Sequence, residues 1–163
     1  MTIRPLIQSD RAQLQMILEE TKVFRSEEID VALELMDSAL NRPEQKDYIV
    51  YTGVDGSVIV GYYCLGPTPM TEGTYDLYWI AVKPSIHNKG YGKKLLAHAE
   101  SLVRDNNGRL IVAETSSQPK YENTRKFYVK NQYLELARIK GYYKIGDDLV
   151  VYGKYVSQSE VQI

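Results

Sequence analysis

Asp76-Leu77-Tyr78-Trp79-Ile80-Ala81-Val82-Lys83-Pro84-Ser85-Ile86-His87-Asn88-Lys89-Gly90-Tyr91-Gly92-Lys93-Lys94-Leu95-Leu96 reads as a strand, a short loop and a helix. Up to Val82 the residues are aromatic or aliphatic with one charge, which suits a half-buried or buried strand, and Pro84 then removes a backbone donor and stops the ladder. From Gly90 onward the period changes. Leu95, Leu96, Ala99, Leu102 and Val103 fall at i, i+1, i+4, i+7 and i+8, the stripe of an amphipathic helix, and Asn106-Asn107-Gly108 marks its C-terminal stop.

The loop between these two elements carries glycines at 90 and 92. Without Cβ atoms there, consecutive backbone N–H groups can converge on an anion at the positive end of the helix dipole, and Lys89, Lys93 and Lys94 add charge around that point. Taken alone, such a loop also serves as an ordinary connection. Spacing narrows the choice of phosphate: a nucleotide P-loop needs glycine at 87, which is His87, and Ser or Thr after Lys93, which is Lys94. A dinucleotide fingerprint needs a third glycine at 95, which is Leu95.

At 163 residues the chain suits one domain, 1–163, long enough to bury about two-thirds of its unfolded surface. Its 20 basic and 21 acidic residues are interspersed and leave a net charge of −1, so no long-range field draws nucleic acid or an anionic membrane. Any phosphate binding is local. The single Cys64 excludes an internal disulfide and a cysteine metal site, and His87 and His98, 11 apart without clustered acids, do not make ligand spacing, so no metal is expected. Cys64 has no evident His partner for covalent catalysis, and His98 reads as a helix-surface or packed residue. No apolar run approaches the ~18 residues of a membrane span and Met1–Asp10 does not resemble a signal peptide, which points to a cytoplasmic protein.

In order, residues Thr2–Arg4 suit a short strand, Ser9 or Asp10 caps a helix containing Leu14, Ile17 and Leu18, and Ser26 starts a second that ends at Asn41-Arg42-Pro43. Tyr48–Gly53 and Ser57–Leu65 are strand-like and flank Val54-Asp55-Gly56, a hairpin signal, and the turn-rich Gly66–Gly73 leads into the strand Thr74–Val82. After the central helix comes a strand at Leu110–Thr115. A helix over Glu122–Lys130 follows, then two strands, Tyr133–Lys140 and Leu149–Val156, joined through Gly146-Asp147-Asp148, with Tyr142 and Tyr143 just before the turn. The strand–helix–strand unit over 74–115 requires a locally parallel pair. The tail Ser157–Ile163 is polar enough to fray.

A second constellation lies on the later helix: Asn123 near its start, then Phe127-Tyr128, then Gln132-Tyr133. With a polar residue at 87, two free positions and Gly90-Tyr91-Gly92 after a strand ending Ile80-Ala81-Val82, the order and separation resemble the two signatures of the GNAT superfamily of N-acetyltransferases, over about Asp76–Tyr133. Two positions depart from its pattern: His87 stands where the family usually has Arg or Gln, and Gln132 where it has Gly. Asn131 is the expected left-handed C-cap in its place, since Asn tolerates positive φ.

The resemblance implies an α/β fold with a central, mostly antiparallel sheet splayed between the fourth and fifth strands and flanked by helices. It implies acetyl-CoA as cosubstrate, with Ile80, Ala81 and Val82 along the pantetheine arm. The amides of His87, Asn88, Lys89, Gly90, Tyr91, Gly92 and Lys93 would lie on the pyrophosphate, and Asn123 and Lys126 beside the cofactor. Tyr128 matches the hydroxyl that protonates the departing thiolate. The implied reaction is direct transfer of an acetyl group to a primary amine, on a small molecule or a peptide. The base would be Asp76, which strand alternation places on one face with Tyr78 and Ile80, or Glu114, or a water chain. For either carboxylate alone, a solvated strand-end charge is an equal reading. A non-catalytic acyl-CoA-binding module is the alternative from another class, and a homodimer is compatible with the resemblance. The acceptor side is expected from Val23–Leu40, Gly66–Gly73 and Tyr142-Tyr143, none of which names a substrate.

Overall fold

A computed structural model describes residues 1–157; from 158 on, the tail predicted to fray lies outside the described residues. Seven strands form one sheet: β1 (Thr2–Pro5), β2 (Ile49–Asp55), β3 (Val58–Pro67), β4 (Thr74–Val82), β5 (Leu110–Ser116), β6 (Leu134–Lys144) and β7 (Asp147–Tyr155). The helices are α1 (Arg11–Glu20), α2 (Ser26–Asn41), α3 (Tyr91–Asp105) and α4 (Glu122–Lys130). The strand order is β1-β2-β3-β4-β5-β7-β6, antiparallel except for β4 and β5.

Local chemistry places most of these boundaries. The β2–β3 hairpin closes over Gly56-Ser57 with Asp55 opposite Val58, and Gly56 takes φ +60°, a conformation that glycine adopts without strain. The α3 crossover returns the chain so that β5 lies parallel to β4, as one strand–helix–strand unit requires. One expectation is corrected at the C-terminal hairpin. β6 continues to Lys144, which pairs with Asp147 across a turn at Ile145-Gly146, so Tyr142 and Tyr143 belong to the strand. β7 lies beside β5 with β6 at the edge, a placement no local pattern announces.

Two apolar layers sandwich the sheet. On one face Leu95, Leu96, Ala99 and Val103 of α3 and Tyr128 of α4 pack on Tyr63, Leu65, Leu77, Ile111, Ala113, Val150 and Tyr152. On the other, Leu14, Ile17 and Leu18 of α1 and Ala32, Leu33 and Met36 of α2 cover Val50, Tyr62, Cys64 and Ala81.

The pairing of β4 with β5 covers only Thr74–Asp76 against Leu110–Val112. Beyond it β4 runs on to Val82 against β3, and β5 to Ser116 against β7. The two strands therefore diverge toward their C-terminal ends, and the sheet opens between them. A bulge in β4 adds to this: Trp79 lies opposite Cys64 and Leu77 opposite Leu65, leaving Tyr78 without a partner.

Candidate active site

The opening exposes backbone on β4. Lys83 N–H donates to the carbonyl of Val60, so Lys83 and Val60 form a hydrogen-bonded pair of the antiparallel ladder. Pairs alternate along such a ladder, so Val82 opposite Gly61 and Ile80 opposite Tyr63 are non-hydrogen-bonded pairs whose N–H and C=O groups point away from β3, into the gap. Ala81, between them, uses its backbone toward Tyr62 and packs its side chain in the α1/α2 layer. Ile80 and Val82 thus present polar backbone to the cleft, and Ala81 does not.

After Val82 the chain makes a 3-10 turn at Pro84–Ile86, and His87 Nε2 lies 2.8 Å from the Val82 carbonyl. That contact turns the His87 ring back onto the strand end and occupies one of the two carbonyls. Asn88 and Gly90 then take φ of +65° and +80°. Gly90 is the N-cap of α3 and offers no side chain to the helix. Lys94 N–H donates to Gly90 O, which makes it the first amide satisfied within the helix; those of Tyr91, Gly92 and Lys93 belong to the first turn and have no helical acceptor. A Cβ added at Gly90 would meet nothing within 4 Å, so the space over the loop is open. Gly92 by contrast sits against Phe127, whose Cε2 would lie 3.2 Å from an added Cβ. The Tyr91 hydroxyl donates to Asp55 Oδ2 at 2.6 Å and anchors the helix start to the β2–β3 hairpin. Together these features make a solvent-facing cradle of free amides at a helix N-terminus, with Lys89, Lys93 and Lys94 exposed around it.

A cavity of about 650 Å³ lies along the gap and is lined by Asp76, Leu77, Tyr78, Trp79 and Ile80 from β4, Val112, Glu114 and Ser116 from β5, and Thr124 and Tyr128 from α4. Three predicted residues, Asp76, Glu114 and Tyr128, therefore face one space. Tyr128 is 4% exposed; its ring packs on Tyr133, Tyr152 and Phe127 at 5.5–5.7 Å. Burial pushes its phenol well above the ordinary value, so the hydroxyl keeps its proton at neutral pH. Thr124 and Tyr128 are one turn apart. Lys126 lies about 200° around the helix from Thr124 and pairs with Glu122 at 2.7 Å, both exposed. Neither Lys126 nor Asn123 is among the lining residues.

The bulge corrects the face assigned to Asp76. Leu77 and Ile80 both enter the α3/α4 layer, while Trp79 packs with the α1/α2 layer and Tyr78 meets Tyr48 edge-on at 5.6 Å. Counting back from Leu77, Asp76 shares a face with Tyr78 and not with Ile80, because the extra residue resets the alternation. Asp76 Oδ2 accepts a hydrogen bond from the Thr68 hydroxyl at 2.8 Å. Burial, followed by the charge of Asp76, pushes the Tyr78 phenol up to about 12.

The far end of the cavity is built from Phe24, Arg25, Glu28, Lys120, Tyr121, Tyr143, Lys144 and Asp147. Of the three segments expected there, Val23–Leu40 contributes through Phe24, Arg25 and Glu28, and Tyr142-Tyr143 through Tyr143; Gly66–Gly73 does not line the cavity and reaches it through the Thr68 hydrogen bond to Asp76. Glu28 was not singled out by sequence. Burial pushes its carboxyl up, but hydrogen bonds from Arg25 N–H and the Tyr121 hydroxyl (2.9 Å) outweigh that and hold it below the usual range. Among fourteen tyrosines nothing in the sequence distinguishes Tyr121.

The remaining reactive side chains lie elsewhere. Cys64 is buried in the α1/α2 layer and its thiol is pushed up to about 12 by burial, which makes it a poor nucleophile. His98 packs beside Tyr51 and holds the Tyr63 hydroxyl on Nδ1 at 2.7 Å; burial lowers its pKa and favours the neutral ring. Among the described residues no cluster of three or more His, Cys, Asp or Glu could hold a metal ion, and no helix is long and apolar enough to cross a membrane.

The sequence profile of the acetyltransferase (GNAT) family matches residues 12–132, which contain the cradle, both sides of the gap and α4. The chain belongs to the GNAT family of acetyltransferases. A protein from Desulfovibrio desulfuricans assigned to that family has the same fold, with a TM-score of 0.92 and 40% identity over 96% of this chain and 99% of that one. An aminoglycoside 6′-N-acetyltransferase in complex with coenzyme A gives 0.76 at 17% identity, covering 98% and 99%. The ribosomal-protein-S18-alanine N-acetyltransferase of Escherichia coli gives 0.75 at 15%, covering 99% and 97%. The last two share the fold alone. No curated protein sequence matches the chain. The sheet of this GNAT acetyltransferase has the predicted form, mostly antiparallel and open between its fourth and fifth strands.

Proposed function

We propose that residues 1–163 act as one acetyl-CoA-dependent N-acetyltransferase domain, moving an acetyl group to a primary amine in a ternary complex without a covalent enzyme intermediate. One observation carries this reading. The phenol of Tyr128 and the carboxyl groups of Asp76 and Glu114 line one cavity in the opened sheet, and β4, which forms its wall, leads directly into the amide cradle. The neighbour that holds coenzyme A supports the choice of donor.

In this reading the diphosphate of acetyl-CoA lies on the amides of Gly90–Lys93, and the pantetheine arm follows the free backbone of Ile80 and Val82. Asn123 and Lys126 are then outer contacts at most, given their place on α4. The acceptor enters as an ammonium, and a carboxylate, Asp76 or Glu114, takes its proton directly or through water. The nitrogen lone pair attacks the thioester carbonyl, the C–N bond forms, and the oxyanion draws on backbone N–H in the Ile80–Val82 stretch. Collapse breaks the C–S bond. Tyr128 donates its hydrogen bond, and then its proton, to the leaving sulfur; the proton released from the amine restores the phenol. A phenol raised by burial is a weak free acid, so this donation accompanies the bond cleavage.

Incubation with acetyl-CoA and a panel of primary amines, following free thiol, tests the proposal. Amine-dependent thiol release is expected. Coenzyme A raising the melting temperature while no amine releases thiol would replace the transferase with a binding module.

A further inference from the structure

The distal half of the cavity separates its charges by depth. Asp147 is 4% exposed although it lines the space, and it is hydrogen-bonded only by neutral donors, the Ser116 hydroxyl and the Gln118 side-chain amide. No ion pair reaches it among the described residues. A carboxylate removed from water without a cation is costly, and here its open side faces a cavity. Glu28 accepts from Tyr121 on the same wall. The cations stand at the rim and are engaged. Arg25 is 69% exposed and lies 3.4 Å from Glu28, Lys120 Nζ donates to the Val23 carbonyl at 2.8 Å and lies over the Tyr121 ring, and Lys144 is exposed at the end of β6.

Tyr143 lines the same space as Glu114, Asp147 and Glu28. Its phenol is raised first by burial and then by Glu114, Tyr142, Asp147 and Glu28 in turn. The ring of Tyr121 lines that space as well, as do Phe24 and Trp79, 6.0 Å apart, and aromatic faces attract cations. Inward carboxylates and aromatic walls suit an organic cation and repel an anion. The amine that becomes acetylated must be neutral when it attacks, so that amine cannot itself balance these charges at the moment of reaction.

We infer, on the N-acetyltransferase reading above, that the acceptor is a small organic dication: a primary amine whose far end carries a second amine or guanidine, held by Asp147 and Glu28 between the Tyr121 and Tyr143 rings. That second group stays protonated throughout. Only the first loses a proton, gains the acetyl carbon and leaves CoA as the thiol.

Three acceptors of similar length isolate the far end: n-pentylamine, 1,5-diaminopentane and 5-aminopentanoate, with neutral, cationic and anionic termini. The kcat/KM for the diamine should exceed that for pentylamine by about tenfold or more, 5-aminopentanoate should be poorest, and added salt should shrink the diamine's advantage. Asp147→Asn and Glu28→Gln should each lower the diamine-to-pentylamine ratio several-fold. A purely structural role would instead lower all three rates together. If Asp147→Asn fails to fold, Glu28→Gln decides, since its amide oxygen still accepts from Tyr121. Equal rates for the diamine and pentylamine, preference for 5-aminopentanoate or for a peptide, or an unmoved ratio in the variants would overturn the dication while leaving N-acetyl transfer standing. Failure of every amine to release thiol would remove the transferase reading, and the dication with it.

Discussion

In the proposed reaction, position 128 supplies the proton for the leaving thiolate from one hydroxyl. Its ring is fixed by Phe127, Tyr133 and Tyr152, and phenylalanine would keep those contacts while removing the proton. Tyr128→Phe is therefore expected to lower kcat by about 10²-fold or more while coenzyme A still raises the melting temperature; stopped thiol-release assays beside thermal shifts check both halves. Among fourteen tyrosines this one was legible because it stands at a fixed distance from Asn123 and Phe127. Glu28, Tyr121 and Asp147 were not. They reach the cavity from α2, the 3-10 turn at Pro119–Tyr121 and β7, and only tertiary packing brings them together. For Asp76 the alternation holds as far as Tyr78 and fails at Ile80, because it cannot be counted through a bulge that leaves no local mark.

At the scale of elements, helix ends show where local chemistry suffices and where it does not. α3 stops as Asn106-Asn107-Gly108 predicts: Asn107 takes φ +58°, and Gly108 N–H reaches back to Val103 O. α4 ends in the same way, with Tyr133 N–H on Tyr128 O and Gln132 N–H on Val129 O, but the left-handed residue is Gln132, not Asn131. Asn131 stays near helical geometry because its side-chain amide and its backbone N–H both bond to Phe127 O. An exposed glutamine at φ +68° is strained where glycine would not be. Gln132→Gly should thus stabilise the fold by about 0.5–1 kcal/mol, seen as a higher urea midpoint at unchanged m-value; a lower midpoint would show that the glutamine side chain contributes more than its backbone costs. The helices and the β2–β3 hairpin were readable because each is written in contiguous residues. The order β5-β7-β6 was not, because strand neighbours are chosen by the packing of the whole sheet.

For the whole molecule, acid stability follows from how the first strand is tied to the first helix. Arg4 grips Asp10 with both guanidinium nitrogens at 2.6 and 2.8 Å, and the Asp10 side chain is 3% exposed. Burial pushes that carboxyl up, but the bonds from Arg4 and Ile7 N–H outweigh it and leave the carboxyl below its ordinary value. A carboxyl lower in the folded than in the unfolded state adds stability above about pH 4, its unfolded value, and loses it as pH falls through the folded value. Arg4→Met leaves the charge unpaired and should cost about 3 kcal/mol at pH 7, with the difference from the parent narrowing on acidification as Asp10 takes up a proton; urea midpoints from pH 7 to 3 measure this.

At the same scale, the mechanism needs the parted strands and the amide cradle to act on one ligand. Backbone amide shifts from ¹⁵N–¹H spectra, recorded with coenzyme A and separately with pantetheine, which lacks the diphosphate, test this most directly. The account predicts that coenzyme A moves the amides of Gly90, Tyr91, Gly92 and Lys93 downfield together with Ile80 and Val82, whereas pantetheine moves only the β4 pair. Saturating coenzyme A that left Gly90–Lys93 unmoved would contradict it.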